Sequence, residues 1–157
     1  MEEPMYDYKI VAHEENGHYW SSCPDVPEAH SAGDTLEELL ENAVEGITLA
    51  LSIYVERRQL LPEVTNRGDH VVRLPVITVA KGLLWDMMLR RNMTRTDLAE
   101  QLRISPTAAG RLVDFEHTSK LESLENALQL FGLRLEVNAV PSYAVGTTPH
   151  PRMGVQP

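Results

Sequence analysis

The chain has 157 residues, 43% hydrophobic and 24% charged, with a formal net charge of −9 at pH 7, a composition that suits one ordinary globular domain or two small ones. No run of about 18 apolar residues occurs, so no membrane span is expected, and the acidic start MEEPMYDYKI lacks the basic and apolar regions of a signal peptide, which argues for a cytoplasmic protein. Cys23 is the only cysteine, which excludes a disulfide framework and a Cys-based metal pair.

Tyr6, Tyr8 and Ile10 alternate with Asp7, Lys9 and Val11 and predict a strand, with a second strand over His18–Cys23. Between them Glu14-Glu15-Asn16-Gly17 offers an Asn-Gly hairpin turn, since both turn residues tolerate positive φ. Pro24-Asp25-Val26-Pro27 breaks the sheet, and a short third strand is predicted over Ala29–Ala32. Thr35 and Glu38 then have capping-box spacing, and Leu36, Leu39, Leu40, Ala43, Ile47, Leu51, Tyr54 and Val55 mark the apolar stripe of a long helix. Its opposite face carries Glu37, Glu41 and Glu45, which reads either as a solvated face or as an acidic docking surface.

Leu61-Pro62-Glu63 ends that region, and Thr65-Asn66-Arg67-Gly68-Asp69 has turn or linker chemistry. His70–Leu74 predicts one more strand, joining the first sheet or edging a second domain. Helical periodicity resumes at Pro75, with Val76, Val79, Ala80, Leu83, Leu84, Met87 and Met88 as its apolar positions. In TRTDLAEQLRISPTAAGRLV, residues 94–113, Leu98, Ala99 and Leu102 form the inner face of a short helix. Ser105-Pro106 restarts a second, running to about Phe115, because Ser is a favoured N-cap and Pro a favoured first helical residue. Ala109, Leu112 and Val113 point inward, leaving Thr107, Ala108, Arg111 and Asp114 outside. This is helix-turn-helix spacing, although a plain αα-hairpin has the same pattern, and Arg103 stands where Gly is usual and must take a left-handed backbone. The Ser105-Pro106 restart and the outward Arg111 favour DNA. Leu121, Leu124, Ala127, Leu128 and Phe131 give a last helix stopped by Gly132. Alternation from Leu133 to Val140 predicts a terminal strand without an obvious partner, which suggests pairing between protomers, and residues 141–157 read as a disordered tail.

Charge divides the chain in two. Residues 1–65 hold three Lys or Arg against fourteen Asp or Glu, a net of −11, whereas residues 66–157 hold eleven against nine, a net of +2. The first part has the sign to hold a cationic partner and the second the sign to approach nucleic acid. Asp7, Asp25, Asp34 and Glu45 are carboxylates available for two-metal hydrolysis, but abundance is not convergence, since the helix acids lie opposite the stripe that faces the sheet. His13, His18, His30, His70, His117 and His150 show no metal-ligand spacing. No catalytic residue, metal or cofactor is therefore predicted. Within the DNA reading, Thr107, Ala108 and Arg111 take base-facing roles, because Arg reads guanine bidentately and an Ala methyl meets thymine. Arg95, Ser105, His117 and Lys120 are the phosphate candidates.

Pro-Asp-Val-Pro at 24–27, Gly-Asp-Thr-Leu-Glu-Glu at 33–38 and Glu-Asn-Ala at 41–43 resemble the HicB antitoxin family. LPVITVAKGLLWDMMLRRNMTRTDLAEQL and the sequence that follows are similar to its helix-turn-helix subgroup, other members using ribbon-helix-helix, and the two stretches together cover roughly residues 5–140. The resemblance implies an α+β chain with a partial ribonuclease-H-like antiparallel sheet and one long helix, lacking a working active site, followed by a helical DNA-binding end. It also implies a HicA-like mRNA-cleaving toxin as partner, operator DNA as ligand, repression of the chain's own operon, and a homodimer or higher oligomer. The expected division is a toxin-binding domain over 1–62, a linker and strand over 63–74, and a DNA-binding and dimerisation domain over 75–140. Tyr19, Trp20, Asp25 and Val26, around the sheet edge and proline turn, are the toxin-contact candidates. The alternative is a stand-alone repressor whose N-terminal domain senses a small molecule.

Overall fold

A computed structural model describes residues 5–141 as an α+β chain, with an antiparallel sheet and one long helix followed by four shorter helices. Strand β1 (Tyr8–Glu15) folds back on β2 (His18–Ser22) through Asn16 at φ 52° and Gly17 at φ 80°. Those positive angles suit the right-handed twist of a tight hairpin. The Pro24–Pro27 turn follows, closed by Val26 N–H to the Cys23 carbonyl at 3.1 Å and Ala29 N–H to the Val26 carbonyl at 2.9 Å. The second bond occupies the Ala29 N–H, and β3 covers His30–Gly33, one residue later than predicted.

Helix α1 (Leu36–Glu56) starts at Thr35, whose hydroxyl accepts the Glu38 N–H at 3.1 Å. The Glu38 carboxylate reaches back to the Asp34 N–H at 2.9 Å, one residue before the partner that a standard capping box supplies. Leu39, Ala43, Ile47, Ala50, Leu51 and Val55 are the buried residues of α1. They share a core with Tyr8, Ile10 and Val72 on one face of the sheet. The helix lies as close to β3 as backbones permit, since a methyl group on Gly46 would stand 2.6 Å from the His30 carbonyl oxygen. Burial of each large aliphatic side chain here is worth about 1.5–3 kcal/mol.

The segment between α1 and the next strand is pinned along its length. Tyr8 donates its hydroxyl to the Pro62 carbonyl at 2.7 Å, Thr65 binds Asp25, and the Asp69 N–H reaches the Ile10 carbonyl at 2.9 Å. Strand β4 (His70–Val72) then joins the first sheet, pairing antiparallel with β1 in the register Tyr8↔Val72, and the strand order is β3-β2-β1-β4.

Helix α2 (Val76–Arg90) departs from its predicted face. Val76 is exposed, whereas Thr78, Ala80, Lys81, Gly82, Leu84, Trp85, Asp86 and Met88 are buried, so the helix is embedded on more than one side. Asp86 accepts the Tyr6 hydroxyl at 2.6 Å and the Leu61 N–H at 2.9 Å, and Trp85 donates its indole N–H to the Gln59 carbonyl at 2.8 Å. Helices α3 (Arg95–Leu102), α4 (Pro106–Leu112) and α5 (Leu121–Gln129) complete the order. The predicted terminal strand is corrected. Residues 133–140 have no strand pairing among the described residues; Leu133 and Leu135 pack against the core instead, and Val137 and Val140 stand exposed. Except for residue 141, the expected tail lies outside the described residues.

Candidate nucleic-acid interface and partner surface

Two short helices form the core of the C-terminal site. Thr94 caps α3 by accepting the Asp97 N–H at 3.1 Å, while the Asp97 carboxylate accepts the Thr94 N–H at 2.9 Å. The Thr94 N–H, and the Thr94 hydroxyl beside it, hold the Asp97 carboxyl below the usual carboxylate range. Leu98 and Ala99 bury the inner face, and Arg103 ends the helix in the left-handed region at φ 56°, as the turn requires. Its successor Ile104 returns its N–H to the Ala99 carbonyl at 3.0 Å, satisfying an otherwise orphaned helix-end acceptor. Ser105 opens α4 by accepting the Ala108 N–H at 3.1 Å, with Pro106 at the first helical position. Ala109, Leu112 and Val113 are buried as the spacing predicts. Thr107, Arg111 and Asp114 are exposed, and Ala108 is half-buried.

Helix α4 stops at Leu112, three residues short of the predicted Phe115, and a side chain that periodicity overlooked meets its end. Lys81, fully buried on α2, donates from Nζ to the carbonyls of Arg111 at 2.8 Å, Asp114 at 2.7 Å and His117 at 2.6 Å, and contacts Ser119 Oγ at 2.8 Å. An ammonium placed at a helix C-terminus complements the partial negative charge of the unpaired carbonyls. Burial pulls the Lys81 pKa below its ordinary value, against the opposing pull of Asp114. Periodicity counts apolar positions, so it gives no signal for this residue.

The structure brings part of the predicted DNA set together. Ala108, Arg111, His117 and Lys120 line one groove of about 330 Å3, with Ile104, Ser119 and Asn126 among its other walls. His117 is oriented by its Nδ1 at 3.0 Å from the Thr118 carbonyl. Ser105 and Thr107 are exposed at the start of the same helix. Arg95 does not line this groove. Its guanidinium lies over the Trp85 ring at 5.8 Å, and it lines a different cleft of about 480 Å3 with Leu49, Glu56, Gly110, Asp114 and Glu116.

Of the four toxin-contact candidates, Trp20 is exposed, Tyr19 is partly buried, and Asp25 and Val26 are buried. Trp20 is exposed and stacks on its cross-strand neighbour His13, ring centroids 3.9 Å apart, on the sheet face opposite α1. Tyr19 alternates to the helix side and packs against the core. Val26 is 0% exposed, so its side chain cannot reach a partner without local opening. Asp25 is also inward. Its carboxylate accepts the Thr65 N–H at 2.7 Å and the Thr65 hydroxyl, and pairs with Arg67 at 3.0 Å. The proline turn reads as exposed loop chemistry, but here it closes the bottom of the core.

The other carboxylates are dispersed. Asp34 pairs with His18 at 2.9 Å, Asp7 lies 3.8 Å from Arg73, and Glu45 is exposed on α1. Among the described residues no three His, Cys, Asp or Glu side chains group as metal ligands would, and no helix is long and apolar enough to cross a membrane.

Comparison with known proteins agrees with this architecture. Residues 5–83 match the family described as HicB-like antitoxin of bacterial toxin-antitoxin system. The chain is 44% identical over 134 residues to Antitoxin HicB of Pseudomonas fluorescens (strain Pf0-1), covering 83% of this chain and 92% of that protein. It is 35% identical to Antitoxin HicB 2 of Photorhabdus laumondii, covering 82% of this chain and 91% of the other, and 29% identical to Antitoxin HicB of Escherichia coli (strain K12), covering 77% and 89%. The capped long helix on an antiparallel sheet, the helical end that follows it, and identity along most of both chains place this protein in the HicB-like antitoxin family of bacterial toxin-antitoxin systems.

Proposed function

We propose that this antitoxin neutralises a HicA-like mRNA-cleaving toxin through its N-terminal part, residues 1–62, and represses its own operon by binding operator DNA through residues 75–140, with 63–74 joining the two. The observation that carries the DNA half is the convergence of Arg111, Ala108, His117 and Lys120 on one groove beside the exposed Ser105 and Thr107. Arg111 and Ala108 face bases, and Lys120 and His117 hold phosphates. Arg95 becomes a flank contact to the backbone rather than a member of the groove.

On the toxin side, the open sheet face around Trp20 supplies the apolar anchor, and the carboxylates of a segment at net −11 supply attraction for a basic partner. Asp25 and Val26 shape the turn beneath that face and do not touch the toxin. No step of this function requires catalysis or a cofactor. Residues 133–140, with alternating Leu133, Leu135 and Val137 and no strand partner among the described residues, support a homodimer in which this segment pairs with its copy.

The test is co-expression with the toxin encoded beside it, followed by co-purification, an RNA-cleavage assay and titration of operator DNA at two salt concentrations. Cleavage suppressed by this chain, together with operator affinity that falls steeply with salt, is the expected result. A toxin indifferent to the chain removes the first half of the proposal. Repression that needs no protein partner and responds to a small molecule instead makes the chain a sensor-type repressor.

A further inference from the structure

Lys81 is the one buried lysine among the described residues, and its position is odd for a core side chain. It lies on α2, away from the DNA groove, yet its ammonium contacts acceptors spread from Arg111 to Ser119. Those acceptors belong to the last turn of α4 and to the loop before α5, whose residues His117, Thr118, Ser119 and Lys120 line the groove. The loop has further bonds of its own: His117 N–H to the Asp114 carbonyl at 3.2 Å, and Glu116 N–H to the Asp114 carboxylate at 3.0 Å. These are short-range turns. Apart from the apolar packing of Val113 and Phe115, the Lys81 contacts are what tie its carbonyls to the rest of the protein.

We propose that Lys81 is the positioning residue of the DNA-reading surface, its ammonium gathering the carbonyls of Arg111, Asp114 and His117 and so fixing where Arg111, His117 and Lys120 stand. This rests on the DNA-binding reading above. A point-like ammonium with three N–H donors suits convergent carbonyls, which a planar guanidinium does not. Lys81 never meets the DNA; it works by making the groove rigid before DNA arrives, so that binding does not have to order the loop. Trp85 and Asp86, one turn further along α2, anchor the same helix to Gln59, Leu61 and Tyr6, so the ammonium is held by a fixed support.

The experiment uses the full chain and two variants. Lys81→Met keeps length and packing but removes the donors, and Ser119→Ala, at the half-buried rim, removes one acceptor of the ammonium together with the Ser119 Oγ bond to the Arg111 carbonyl at 3.4 Å. Operator affinity, toxin affinity and amide hydrogen exchange are measured for each. Lys81→Met is expected to bind operator at least tenfold more weakly, with faster exchange confined to residues 111–120 and toxin affinity within twofold of the parent. Ser119→Ala is expected to lose two- to fourfold in operator affinity with faster exchange over residues 111–120 and an unchanged unfolding midpoint; because Ser119 is itself a wall of the groove, affinity and exchange must change together for it to decide the matter should Lys81→Met fail to fold. Operator affinity unchanged in the variant that folds overturns the proposal. So does parallel loss of toxin and operator binding, which a merely structural lysine would give. A parent chain that ignores operator DNA overturns the DNA reading and this role with it, while the exchange data then report separately whether the ammonium holds the loop.

Discussion

Thr65 closes on Asp25 across 40 residues of sequence, its N–H 2.7 Å from one carboxylate oxygen and its hydroxyl on the other, fastening the chain after α1 to the turn after β2. Burial would raise the Asp25 pKa, but the Thr65 hydroxyl and N–H and the Arg67 guanidinium outweigh it and hold it below the ordinary 3.8. A carboxylate with a depressed folded pKa adds stability that is complete above its unfolded value and lost as pH falls through the folded one. Asp25→Asn therefore lowers stability at pH 7 by about 1.5–3 kcal/mol, the range for a hydrogen-bonded charged group. The gap from the parent shrinks in urea titrations taken below about pH 4. An equal gap at pH 7 and pH 3 would assign the loss to shape alone.

On the proposed DNA-binding function, Arg111 and Lys120 separate reading from holding. Arg111→Ala is expected to cost about 1–3 kcal/mol at the specific operator and to relax preference at one base position. Lys120→Ala weakens all sequences alike and lowers the slope of log affinity against log salt by about 1. Anisotropy titrations over a panel of single-base operator variants check both. Indifference of the operator to Arg111→Ala takes that side chain out of the groove's function.

Trp20 offers an aromatic face at little structural cost. At 44% exposed it contributes little to the core, so Trp20→Ala leaves the thermal midpoint within a few degrees of the parent. Toxin affinity measured by calorimetry is expected to fall by about 2 kcal/mol or more, as truncation of a central interface aromatic does. A normal affinity would move the toxin to another face of the N-terminal part.

The turn between α3 and α4 stores strain. Arg103 sits at φ 56°, ψ 44°, a conformation that costs an L-residue with a Cβ about 1 kcal/mol and glycine almost nothing. Arg103→Gly is expected to raise stability by about 0.5–1 kcal/mol in a urea titration, and a decrease would show that the guanidinium has a compensating contact.

Local chemistry made much of this protein readable from sequence. Asn16-Gly17 names its hairpin because few other pairs accept two positive φ angles, and Ser105-Pro106 names the start of α4 because both residues have a reason to be there. Arg103 is foreseeable for the same reason, the turn geometry demanding a left-handed residue whatever its type. Lys81 and Asp86 escape because a buried charge is invisible until its partners are known, and those of Lys81 begin 30 residues downstream. Val26 escapes because a proline turn that packs inward has the same sequence signature as one that faces water. Residues 133–140 mislead in the opposite direction, since alternation signals an amphipathic extended segment and says nothing of whether a second strand is present.

Helix α2 alters where the chain can be divided. By Trp85 and Asp86 it is bound to the segment after α1 and to the start of the sheet, and by Lys81 to the loop beyond α4. The seam between the two proposed activities thus runs lengthwise through α2, not across the connecting segment at 63–74. A chimera joined in that segment would keep Lys81 with its carbonyls but strip Tyr6 and Leu61 of their partner Asp86. An exchange of DNA-reading ends has to be spliced after Arg90, and whatever is grafted there must bring a loop that fits Lys81.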